Sequence, residues 1–93
     1  MIQPEGLAVG AVADIGSHGY TVRVGRESTD SWRLSRFPEG WPSGLASARI
    51  VRETDDRPEP WIVEPTNPLI DAEEFDTWDA ALAFATTLEP RLP

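Results

Sequence analysis

A single stretch of this chain has the periodicity of a helix, and what precedes it alternates with a period of two. In FDTWDAALAFATTL, residues 75–88, Trp78, Ala81, Leu82, Ala85 and Leu88 fall at i, i+3, i+4, i+7 and i+10. That is one apolar stripe along a helix. Asp79, Ala83, Thr86 and Thr87 fall on the other side. The alanines at 80, 81, 83 and 85 favour helix and let a sheet approach closely. The pattern predicts a helix over about residues 77–89, with Asp76 as N-cap and Asp79 where a capping-box acid would stand. Both acids then lie at the positive end of the helix dipole. Pro90 and Pro93 are expected to stop it. Phe84 lies off the centre of the stripe and is expected to widen the buried face.

Upstream, Leu7, Val9, Ala11, Ala13 and Ile15 alternate with Ala8, Gly10, Val12 and Asp14, which predicts a first strand with a bulge or close backbone approach at Gly10. Gly16-Ser17-His18-Gly19 reads as a turn, and Tyr20 to Gly25 as the partner strand. Arg26 to Asp30 is a polar turn. In Ser31 to Phe37, Trp32 and Leu34 point inward while Arg33 and Ser35 point outward. PEGWPSG, residues 38–44, is a loop that carries Trp41. Leu45 to Glu53 contains a fourth strand, and TDDRPEP, residues 54–60, is a charged loop. Trp61 to Glu64 is a short fifth strand, and the prolines around it predict an edge position. In Pro65 to Glu74, Asn67-Pro68 either starts one helical turn or the segment crosses the sheet. The expected fold is α+β: four to five antiparallel strands in a curled sheet or partly open small barrel, packed by one C-terminal helix. Residues 1–93 form one domain, with strands over about 7–64.

Ninety-three residues bury roughly 65% of their unfolded surface, enough for a modest core. The chain has no cysteine, hence no disulfide, no thiolate metal site and no cysteine nucleophile. No basic cluster precedes an apolar run at the N-terminus, and no apolar run approaches ~20 residues. Neither a signal peptide nor a membrane span is expected, and the expected location is cytoplasmic. Charge is divided unevenly: residues 1–52 carry a net +1 and residues 53–93 a net −9. The second half is then either a solvated acidic face or a binding surface.

No residue pattern here carries recognisable catalysis. His18, the one histidine, lies in a turn with no nucleophile or second ligand near it in sequence. The acids around Asp55, Asp56 and Glu59, and those from Asp71 to Asp79, lack the ligand order of a calcium loop. No metal and no cofactor is expected. Glycines at 6, 10 and 16 form neither a dinucleotide fingerprint nor a Walker loop. Arg23, Arg33, Arg36, Arg49 and Arg52 with Tyr20, Trp32 and Trp41 are the residue types that stack on single-stranded nucleic acid. The net charge of −8 opposes phosphate binding. Trp41 is the aromatic that fits no strand face. A large aromatic in a rigid Pro/Gly loop is either an interface anchor or a plug at the end of the sheet.

The ending F-x-T-W-x-x-A-L-x-F-A, Phe75 to Ala85, resembles the tail of small, mostly uncharacterised actinobacterial and actinophage proteins in which strands precede such a helix. The resemblance covers about the last fifth of the chain and carries no catalytic residue. Ser31-Trp32 followed by Pro38-Glu39-Gly40-Trp41 is similar to the motif of the MbtH-like partners of adenylation domains, S-L-W-P and then P-x-G-W. Here the leucine is missing and Arg33 stands in the place of the proline.

The expectation is a small non-catalytic interaction protein, most concretely a phage-encoded protein that binds and modulates a host protein. Its candidate interface is Trp41, Arg33, Arg36, Phe37, Arg49, Asp55 and Asp56. Nucleic-acid binding by the arginine-bearing sheet, or mimicry of nucleic acid by the acidic half, are the alternatives. A homodimer through the edge strand Trp61 to Glu64 is also open.

Overall fold

The computed structural model describes residues 6–17, 19–42, 44–53 and 58–89. Strands β1 (Val12–Ser17), β2 (Tyr20–Ser28), β3 (Ser31–Pro38), β4 (Ala46–Arg52), β5 (Trp61–Pro65) and β6 (Glu73–Phe75) precede one helix, α1 (Trp78–Ala85). The strands form one open antiparallel sheet in the order β1-β2-β3-β4-β5-β6, so each lies beside its neighbours in the chain. This is the α+β architecture expected, with one strand more than the sequence pattern predicts.

The additional strand is β6. Asn67 accepts from the Leu69 amide on Oδ1 at 3.0 Å and from the Ile70 amide on its carbonyl at 3.1 Å, which turns the chain back. Glu73, Glu74 and Phe75 then pair with Val63, Ile62 and Trp61. β5 is therefore an interior strand, not the edge its prolines predict. Pro60 and Pro65 fall at its limits, so the ladder between them loses no donor. Pairing of two chains through this strand has no free edge to use. At the other end, β1 begins at Val12 rather than Leu7. The Ala11 amide donates to the Ala8 carbonyl at 2.9 Å, with Gly10 at φ 90°. A type II turn requires positive φ at that position. The Gly10 amide donates to the Arg26 carbonyl at 2.8 Å and the Arg26 amide to the Ala11 carbonyl at 3.0 Å, so Gly10 is both the turn residue and the glycine of the bulge the sequence predicts.

Alternation sorts the side chains onto two faces. Val22 and Val24 of β2, Trp32 and Leu34 of β3, Ala48 and Ile50 of β4, and Trp61 and Val63 of β5 are all buried on the face that α1 covers. Trp78, Ala81 and Ala85 of the helix, with Leu88 beyond it, close over them. At the centre are three tryptophans: Trp32, Trp61 and Trp78 have ring centroids 5.1–5.6 Å apart. Burying each indole removes about 150–250 Å² from water, roughly 4–6 kcal/mol of transfer free energy as an upper bound. Arg26 and Arg52 lie with their guanidiniums 4.8 and 5.7 Å from the Trp32 ring. They also hold the carbonyls of Leu7 and Thr29, so they close that end of the core.

The N-cap of α1 is Thr77, not Asp76: its hydroxyl accepts from the Ala80 amide at 3.1 Å. The helix ends at Ala85, short of the prolines, which lie outside the described residues. Thr86 and Thr87 turn their hydroxyls onto the Ala83 and Phe84 carbonyls, and the Thr87 and Leu88 amides shift to three-residue bonds. Phe84 is half-buried against Phe75, ring centroids 5.5 Å apart, as its place beside the stripe predicts.

Candidate functional site

Among the described residues nothing covers the face turned away from α1. Strand register sets its side chains in rows. Val12, Gly25, Arg33, Arg49 and Glu64 face each other in sequence across five strands, and Asp14, Arg23, Ser35 and Ala46 form the next row. Two irregularities adjust these rows. β4 carries an extra residue, Ser47, opposite the Leu34/Ser35 step, and β2 carries one, Glu27, between Arg26 and Ser28.

Glu27 is thereby able to reach the Arg49 guanidinium, 3.1 Å from Nε. Asp14 takes two bonds from Arg23, Nε to Oδ1 at 2.8 Å and a terminal nitrogen to Oδ2 at 3.1 Å. This bidentate hydrogen bonding holds the Asp14 carboxyl below the ordinary aspartate range; burial opposes it, and the attraction of the guanidinium adds to it. Arg33 has neither arrangement. It is exposed and makes no ion pair and no hydrogen bond among the described residues. A hollow of about 470 Å³ opens on one side of it, over Gly25 and between Val12, Arg23, Glu27 and Ser35. A second, of about 390 Å³, opens on the other side toward Arg49 and Glu64. Gly25 forms the floor of the first, and a Cβ there would stand 3.2 Å from Val12 Cγ1.

The Trp41 loop hangs at the rim of this face. Pro38 to Trp41 is a type II turn, closed by the Trp41 amide on the Pro38 carbonyl at 3.1 Å with Gly40 at φ 89°. Arg23 donates to the Pro42 carbonyl at 3.3 Å, which ties the loop to the Asp14 row. Trp41 itself is 64% exposed, so it does not plug the sheet. Phe37 fills that place instead: it is 3% exposed, under Arg23 and against Gly44, where a Cβ would come within 2.5 Å of the Phe37 Cβ.

Of the residues the sequence nominates, the structure brings Arg33, Arg49 and, at the rim, Trp41 to one surface. Phe37 lies beneath that surface. Arg36 is on the opposite face, its guanidinium 4.1 Å over Tyr20 and 3.7 Å from Glu89, with Nε buried and unbonded. Its placement was available from the alternation, because Trp32, Leu34 and Arg36 share a parity. Asp55, Asp56 and His18 lie outside the described residues. Sequence reasoning missed Val12, Asp14, Gly25, Glu27 and Glu64. Their alternation marks them as outward, but only the register shows that they surround Arg33.

Among the described residues no three metal-binding side chains converge, and no helix is long and apolar enough to cross a membrane. Fold and site define a small α+β protein with one sheet face sealed by a helix and the other left open beside an exposed tryptophan. No family model, curated protein or solved structure matches this chain.

Proposed function

We propose that this chain is a small non-catalytic interaction module that docks a partner protein on the open sheet face, with Trp41 as its anchor. The observation that carries this reading is the Trp41 side chain, 64% exposed on a turn fixed at both ends. A large aromatic held this way loses little conformational freedom on docking, and tryptophan is a preferred anchor at interface centres. The face behind it supplies guanidinium donors and a side-chain-sized hollow. The likeness of the last segment to actinophage proteins makes a host protein the partner class to test first.

The test is Trp41→Ala, read by affinity capture and thermal unfolding together. Partner capture is expected to be lost while stability stays within about 0.5 kcal/mol, because the indole touches little of the core. Capture that survives the substitution, or a large drop in stability, would remove Trp41 from the anchor role.

A further inference from the structure

Resting on that reading, we infer that the docked partner presents an acidic side chain and that Arg33 receives its carboxylate. Six arginines lie among the described residues, and five are engaged: Arg23 with Asp14, Arg49 with Glu27, Arg52 with Asp30, Arg36 with Glu89, and Arg26 with three backbone carbonyls. Arg33 has no such partner and stacks on no ring among the described residues. Directly opposite it on β4 is another arginine, Arg49. Like charges placed opposite each other across two strands destabilise a sheet, and an anion between them reverses the sign. Among the described residues, the acids nearby are committed or distant. Asp14 has both oxygens on Arg23, and Glu27 lies on Arg49. Glu64 stands two strands away from Arg33, about 10 Å at the usual strand spacing.

The space beside Arg33 fits a side chain. Its other cross-strand neighbour is Gly25, so an incoming group meets backbone directly across from Arg33, with Arg23 and the Arg49-bound Glu27 at the sides. Val12, 62% exposed at the wall of the hollow, offers apolar surface to a residue next to the acid. The charge arithmetic selects one carboxylate over a chain of phosphates. With one free guanidinium among the described residues and a net charge of −8, the site neutralises one anion, and further phosphates would meet Glu27 and Glu64. The segment recognised is therefore one with an isolated Asp or Glu beside an apolar residue.

The test is selection from a display library of random peptides on the intact protein, with counter-selection on Arg33→Gln. The winning peptide is then titrated with and without its acid changed to the amide. Arg33→Gln is expected to leave the thermal midpoint unchanged or slightly raised, since the side chain is exposed, makes no hydrogen bond or ion pair among the described residues and faces Arg49, and to weaken binding roughly tenfold or more. Amide replacement in the peptide should weaken it equally, and the two changes together should cost no more than either alone. Peptides that need Trp41 but are indifferent to Arg33→Gln would overturn this inference and leave the interaction reading standing. No enrichment of any peptide, or preference for a single-stranded oligonucleotide, would overturn both.

Discussion

Asp14 and Arg23 show how little separates a structural arginine from a free one on this sheet. Both Arg23 and Arg33 point outward from neighbouring strands, and only the register gives the first a carboxylate directly across from it. The consequence is measurable by titration. Because Arg23 lowers the folded-state pKa of Asp14, the pair adds stability at pH values above the unfolded aspartate pKa, about 3.9, and loses it as pH falls through the lowered folded value. The side chains are 37% and 47% exposed, so the contribution to stability is small. The Asp14 carboxyl resonance, followed by NMR, should therefore titrate below the ordinary aspartate midpoint, and Arg23→Gln should move it back up. A midpoint unchanged by that substitution would mean that the two-pronged bond does not persist in solution. At this scale the sequence was legible as parity and no further. It separates Arg33 and Arg49 from Trp32 and Ile50, but it names no pairs, and pairing decides which guanidinium is left over.

Elements with a strong period were legible to within a few residues, and those without one were not. β3 and the body of α1 stand where alternation and the apolar stripe place them, because each buries one complete face. β6 has three residues, two of them exposed acids, and no pattern of its own. It is a strand only because the turn at Asn67 delivers it to the edge of β5, which is a tertiary effect. The helix start is a similar case. Asp76 and Thr77 are both acceptable caps, and the choice depends on which residue enters extended: Thr77, at φ −132° and ψ 156°. Thr77→Ala is accordingly expected to cost about 1 kcal/mol, read as a lower denaturant midpoint at unchanged slope, while Asp76→Ala should cost less. Equal losses at the two positions would count against the hydroxyl as cap.

For the molecule as a whole, the tryptophan trio is the joint between sheet and helix. Trp78 is the residue through which α1 touches both Trp32 and Trp61, and its indole nitrogen is buried with no hydrogen-bond partner among the described residues. Trp78→Ala should cost about 3–5 kcal/mol, against a total stability of roughly 5–14 kcal/mol for a chain of this size. Trp78→Phe should cost less, since it keeps an aromatic ring and removes the unpaired donor. Equilibrium unfolding of the two variants distinguishes them, and a loss for Trp78→Ala within 1 kcal/mol, on the order of an ordinary surface change, would mean that the helix is not what seals the sheet. The strictly sequential strand order has one more consequence, for a chain still being made. Every strand finds its partner from the segment just synthesised, but Trp32 waits for Trp78, 46 residues later. At about 5–20 residues per second that interval is roughly 2–9 s. During it the sheet face that carries Trp32 lacks its helix, and uncovered apolar surface of that kind is what makes incomplete chains prone to aggregate.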